Sequence, residues 1–252
     1  MARFAANLTH LFTELPFLDR FAAAKAAGFD HVEVLFPYEA SATETRTALI
    51  MNGLEMALMC GPPPNWTGGP RGFAAVPGLE DRFRRDLDRA LRYADVLKCR
   101  NLCLLPGPAR GPEARETLID NLRWATARAP KRAFVIEPVA EEEAPGDYLS
   151  DFEAAADVIA AVAAPNLGLL FDLWQADRIT CDALAAWARY GPLARHVQIA
   201  GLPDRHEPAD DGFDHAGFLD RVAADGYDGV IGAEYAPRAE TMQGLHWLAD
   251  RG

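Results

Sequence analysis

Phe134-Val135-Ile136-Glu137-Pro138 is a short apolar run that ends on one carboxylate and is stopped by a proline. The same shape returns three times downstream, as Leu169-Leu170-Phe171-Asp172, His196-Val197-Gln198 and Val230-Ile231-Gly232-Ala233-Glu234. Short apolar runs of this kind are the signature of strands buried on both faces, as in a parallel sheet. Each run carries one oxygen-bearing side chain at or near its C-terminal end. A carboxylate is costly to bury unless a positive group meets it, and a divalent cation would do that.

Working outward, residues 3–8, 31–36, 54–60 and 101–105 read as four earlier strands. Residues 133–137, 167–172, 195–200 and 229–234 complete a set of eight. Helical patterns are predicted between them over 17–27, 43–52, 80–97, 112–127, 148–161, 180–188, 214–224 and 241–249, with Gly28 closing the first and Ser150 as N-cap of the fifth. Regular strand–helix alternation implies a parallel sheet with right-handed crossovers. Eight units in 252 residues fit a single (β/α)8 TIM barrel, one domain over residues 1–252. No Gly-x-Gly-x-x-Gly follows the first strand and no phosphate-binding P-loop occurs, so a dinucleotide-binding fold lacks its signature. The loop over residues 61–78 holds Trp66 and Arg71 and is long enough to imply function.

Composition narrows the partners. Half of the residues are hydrophobic and the net charge is −12. Such a field repels phosphate backbones, so no nucleic-acid partner is expected. Cys60, Cys99, Cys103 and Cys181 lack CxxC spacing and read as reduced thiols of a cytoplasmic protein, not as a zinc site. No signal peptide is expected, and no apolar run reaches the roughly 18 residues of a membrane span.

In a barrel of this type the chemistry sits at the C-terminal ends of the strands. Strand alternation puts Glu137 on the face of Val135 and Ala133, Asp172 on that of Leu170 and Gly168, and Glu234 on that of Gly232 and Val230. Glu137, Asp172, Gln198 and Glu234 therefore converge from consecutive strands. Three carboxylates and one amide oxygen are hard donors suited to Mg²⁺ or Mn²⁺. His196 shares a face with Gln198 one layer deeper and reads as a hydrogen-bonded barrel residue. His10, His206, His215 and His246 read as loop or helix-surface residues. Arg71, Arg205 and Glu207 sit in loops at the mouth, as substrate contacts or as surface ion pairs.

Arg3-Phe4-Ala5-Ala6-Asn7-Leu8, Phe36-Pro37-Tyr38, Trp66 with Arg71-Gly72, Ile136-Glu137-Pro138, His196-Val197-Gln198-Ile199-Ala200 and Glu234-Tyr235 occur in an order that resembles the hydroxypyruvate isomerase family. That family belongs to the xylose-isomerase-like barrels and includes 2-oxo-tetronate isomerases. The resemblance implies a divalent metal on Glu137, Asp172, Gln198 and Glu234, with Glu137 and Glu234 as the acid/base pair. It implies isomerisation of a small 2-oxo or hydroxy sugar acid, of hydroxypyruvate or 2-oxo-tetronate type, through an enediolate. The substrate-binding candidates are Arg71, Gln175, Arg205 and Glu207.

The chain also departs from the family pattern. Gln175 stands where a histidine is usual, Ala140 where Asn is frequent, Gly201 where Asp is frequent, and Ala236 where a basic residue is expected. A Gly-x-Gly-Glu pattern is eroded to Ala209-Asp210-Asp211-Gly212. These changes keep two further readings open: a ketose 3-epimerase-like enzyme and a catalytically silent small-molecule-binding barrel. A metal-dependent nuclease is disfavoured by the negative charge and the missing histidine cluster. The expected partner is a small-molecule sugar acid, with no nucleic acid and no membrane. A homo-oligomer is left open.

Overall fold

The computed structural model describes residues 2–61, 71–209 and 211–249. Trp66 lies outside them. The strands are β1 (Arg3–Asn7), β2 (His31–Glu33), β3 (Glu55–Cys60), β4 (Asn101–Cys103), β5 (Ala133–Ile136), β6 (Leu167–Asp172), β7 (Ala194–Ile199) and β8 (Val230–Ala233). All neighbouring pairs are parallel, and β8 pairs back to β1, closing an eight-stranded barrel in chain order. The helices are α1 (Asp19–Ala26), α2 (Ala42–Met51), α3 (Glu80–Leu97), α4 (Gly111–Arg128), α5 (Phe152–Val162), α6 (Leu173–Thr180), α7 (Ala183–Tyr190), α8 (His215–Ala224) and α9 (His246–Ala249). None of them is long and apolar enough to cross a membrane.

Two apolar layers follow from strand alternation. Leu58, Cys60, Cys103, Val135 and Leu170 form one cluster, and Ala5, Ala57 and Val230 another. Neither belongs to the large cluster that joins the strands to the helices, to which Phe134, Leu169, Phe171 and Ile231 contribute. Phe171 meets Phe152, Trp187 and Phe218 there, with ring centroids 5.1–6.3 Å apart. The predicted parity therefore holds. Val135 and Leu170 share the inner face, which Glu137 and Asp172 continue upward.

Helix boundaries follow capping chemistry and correct two expectations. The fifth helix starts after Asp151, whose side chain accepts the Ala154 N–H, rather than after Ser150. A helix absent from the sequence reading, α6, begins directly after β6. Asp172 is its N-cap: Oδ1 accepts the N–H groups of Trp174 (2.7 Å) and Gln175 (3.4 Å). The single predicted helix over 180–188 is thus the end of α6 and the start of α7. Cys181 closes the first at φ 58°, and Asp182 caps the second.

Candidate active site

The ends of the strands set the frame. Asp172, Gln198 and Gly232 are successive Cα partners on β6, β7 and β8. Glu137 and Glu234 each follow the last residue of their strand, β5 and β8. Asn7 and Glu33, register partners at the ends of β1 and β2, complete the ring. Asn7, Glu33, Asp172, Gln198 and Glu234 are all buried.

Above this ring lies a cavity of about 240 Å³, lined by Glu137, Glu234, Arg205, Arg71, Glu143 and Gln175 on its polar side. Leu35, Phe36, Leu105 and Pro106 are among its apolar lining. This volume is below the roughly 300–1,000 Å³ of common small-molecule pockets, which suits a substrate of few heavy atoms.

Arg205 is the cation at the centre. Its Nη2 donates to Asp172 Oδ2 (3.0 Å) and Glu234 Oε1 (2.8 Å), its Nη1 donates to Glu143, and its guanidinium stacks 4.8 Å from the Trp174 ring centroid. The backbone holds it at φ 56°, uncommon for a residue other than glycine. Burial disfavours its charge, but Asp172, Glu234 and Glu143 outweigh that and raise its pKa. Burial, with repulsion from Glu234 and Asp172, pushes the Glu137 carboxyl well up. Glu234 is pushed up to about 8 by burial and neighbouring acids, against the opposing pull of Arg205. Asp172 rises for the same leading reason.

The remaining predicted positions divide. Arg71 lines the cavity and pairs with Glu143 at 3.3 Å, 61% exposed. Glu207 is absent from the cavity wall; its Oε1 accepts the Arg238 N–H at 3.0 Å. His196 is a buried barrel residue against Glu33, as expected. The surface reading of His215 fails, whereas His10 stands in the turn after β1, as expected, with its side chain 36% exposed. His10 Nε2 lies 4.0 Å from Glu234 Oε1, and burial together with Arg205 pushes its pKa down to about 4. His215 is buried against Asp211.

The departures from the family pattern prove to be connected. The Gln175 side-chain oxygen accepts the N–H of Ala140 at 2.8 Å, and its amide donates to Glu143 Oε2 at 3.2 Å. Ala236 donates its N–H to the Arg205 carbonyl at 2.9 Å. Gly201 has no room for a side chain, because a Cβ there would collide with the Glu207 carbonyl, and Asp211 Oδ2 would stand 3.0 Å away. Asp211 thus brings a carboxylate to this loop from its far side. It accepts from Leu202 N–H (2.6 Å), Phe213 N–H (2.9 Å) and His215 Nε2 (2.7 Å).

Burial alone would raise the Asp211 carboxyl, but hydrogen bonds from His215, Leu202 and Phe213 lower it below its ordinary value. A depressed carboxyl contributes stability that is present above the unfolded-state pKa and lost as pH falls through the folded one. D211N is therefore expected to cost about 1–3 kcal/mol at neutral pH. The gap from wild type should close below the ordinary aspartate pKa of about 3.9 in pH-dependent denaturation curves; a gap that persists in acid would contradict this.

Charge and donor chemistry also bear on a metal. Among the described residues, no three His, Cys, Asp or Glu side chains close into a metal-holding group; the Arg205 guanidinium stands between Asp172 and Glu234 instead. The donor set nevertheless fits a hard divalent cation. Gln198 Oε1 is buried without a hydrogen-bond partner, and the neighbouring carboxyls repel one another. A buried carbonyl oxygen left unmatched is costly, and an oxygen-seeking cation would satisfy it.

Comparison with known proteins agrees with this frame. Residues 21–251 match the xylose isomerase-like TIM barrel family. The chain is 41% identical to the 2-oxo-tetronate isomerase of Cupriavidus necator, with 98% of each covered. It is 33% identical to the hydroxypyruvate isomerase of Escherichia coli, again with 98% of each covered. The crystal structure of an AP endonuclease, family 2, from Brucella melitensis superposes with a TM-score of 0.94 at 38% identity, covering 100% of this chain and 99% of that one. The chain belongs to the hydroxypyruvate isomerase family of xylose isomerase-like TIM barrels and is an isomerase.

Proposed function

We propose that this isomerase acts on a small 2-oxo or hydroxy sugar acid of the hydroxypyruvate or 2-oxo-tetronate type, with Glu137 and Glu234 as its acid/base pair and a divalent metal. The observation that carries the reading is the pair of strand-end glutamates in one small cavity, both with pKa values raised by burial. Glu234, pushed up to about 8, is poised near neutrality, where a carboxyl both takes and returns a proton efficiently. One glutamate removes the proton from the carbon bearing the hydroxyl and the pair returns a proton to the former carbonyl carbon, while the hydroxyl proton passes to the former carbonyl oxygen. The net result moves the carbonyl by one position through an enediolate.

A cation held by Glu137, Asp172, Gln198 and Glu234, Mg²⁺ or Mn²⁺ by donor type, would supply Lewis-acid polarisation of the substrate oxygens. The chain's own groups do the rest. Asn7 and Gln198 hold Glu234 Oε2 at 2.8 and 2.5 Å. The wall of Leu35, Phe36, Leu105 and Pro106 keeps water from the reacting carbons. Arg71, at the exposed rim, is the group placed to meet a substrate carboxylate.

Incubating the protein with hydroxypyruvate and with 2-oxo-tetronate, each with and without added Mg²⁺ or Mn²⁺, tests the reading by proton NMR. Carbonyl migration is the expected result. Absence of turnover on both together with no bound metal would sink it. Solvent deuterium entering C3 of a ketose without carbonyl migration would instead select the epimerase reading.

A further inference from the structure

Glu33 has no place in the reaction drawn above, yet it is a fully buried carboxylate in the barrel interior. It ends β2, at a register shift in the pairing of β2 with β3 that falls between Val32 and Glu33. We propose that Glu33 is a positioning residue that locks the Gln198 amide so that its carbonyl oxygen faces the cation. This rests on the metal reading given above.

The argument is one of donors and acceptors. A carboxylate only accepts. Glu33 Oε1 meets His196 Nε2, and Oε2 meets Gln198 Nε2 at 2.8 Å and Asn7 Nδ2 at 3.4 Å. Every one of these partners must therefore present a proton. Two neighbours fix that choice independently. Asn101 Nδ2 lies 3.4 Å from His196 Nδ1, so Nδ1 accepts and Nε2 carries the hydrogen. The Thr9 N–H donates to Asn7 Oδ1 at 3.1 Å, so the Asn7 amide nitrogen faces the carboxylates.

Among the described residues, no backbone neighbour fixes the Gln198 amide in this way. Its Nε2 donates to Glu33 Oε2 and to Glu234 Oε2 (2.5 Å), which commits both amide hydrogens. Its Oε1 is then forced to the opposite side, where it is buried and unpartnered. Without Glu33, one hydrogen bond would be left to choose between the two amide orientations. With a glutamine at position 33, an N–H could draw Gln198 Oε1 inward and turn its NH₂ toward the cation, which an NH₂ cannot ligate. Gly232 makes the arrangement possible, since a Cβ there would collide with the Glu33 carboxylate.

Mn²⁺ titration of the full chain, followed by electron paramagnetic resonance of the free ion, tests this with no substrate present. E33Q is expected to bind Mn²⁺ about 10- to 100-fold more weakly than wild type. E33Q/Q198E should recover most of the loss, because a carboxylate at position 198 presents an oxygen in either orientation. A barrel merely loosened by E33Q would not be rescued this way. G232A, which displaces the Glu33 carboxylate without removing it, should also weaken binding and decides the matter if E33Q fails to fold. Wild-type affinity in folded E33Q or G232A, or no recovery in the double variant, would overturn the positioning role. Absence of Mn²⁺ binding in wild type would overturn the metal reading itself.

Discussion

Replacing Glu234 by Gln is expected to lower kcat by about 10²- to 10⁴-fold with little change in KM. The substitution is nearly isosteric, so the cavity keeps its shape. What is lost is the ability to carry a proton, together with one negative charge on the proposed cation. Glu234 Oε2 accepts from Asn7 and Gln198, and Oε1 accepts from Arg205. A glutamine keeps one acceptor and sets an NH₂ against donors on the other side, so a modest loss of order accompanies the chemical one. E137Q is expected to act with similar size, since Glu137 stands across the same cavity with its carboxyl also pushed up. The two losses should not add, because in the proposed reaction both residues serve one proton transfer cycle. Steady-state kinetics on whichever sugar acid turns over measures this. An E234Q variant with wild-type kcat would remove Glu234 from the acid/base role.

The second large effect is expected at Arg205. R205A should destabilise the protein by about 3–5 kcal/mol, the range found when one partner of a buried ion pair is removed. The Arg205 side chain is only 17% exposed, so solvent screens little of this. Asp172, Glu234 and Glu143 would all lose their shared cation. R205K should recover only part, because an ammonium neither spans the three carboxylates nor stacks on Trp174 in the same way. Urea denaturation in chelator reads the effect as a lower midpoint with an unchanged slope. Added Mg²⁺ should stabilise R205A more than wild type, since a bound cation would take over the same charges. Equal stability of R205A and wild type in chelator would show that these pairs contribute nothing net.

How much of this was legible in the sequence depends on where each strand stops. The eight-unit barrel followed from apolar runs and helical spacing, and the strand-end rule brought Glu137, Asp172, Gln198 and Glu234 together. Asn7 and Glu33 obey the same rule and escaped it. The apolar residues Leu8 and Val34-Leu35-Phe36 continue past them, so both read as mid-strand. The hydrogen-bonded strands end at Asn7 and Glu33, because the chain beyond leaves the barrel to enter its loops. One residue of strand boundary at β1 and three at β2 thus concealed two members of the polar ring. Glu143 was hidden for another reason. Within Glu141-Glu142-Glu143 it reads as part of a solvated acidic run, and only the path of the loop carries it to Arg71 and Arg205. Asp172 was read as an oxygen donor, but nothing before it announced that it would also cap α6.

The bond between Gln175 and the Ala140 N–H has a consequence for any attempt to convert this chain toward its relatives. Restoring the family's histidine at position 175 alone would sever that bond and the one to Glu143. The loop that carries Glu143 would then rest on the pairs of Glu143 with Arg205 and Arg71 and of Glu142 with Arg178. Because the bond runs to the backbone N–H of residue 140, the side chain at 140 can change without breaking it, whereas a change at 175 reaches Glu143 and through it Arg205.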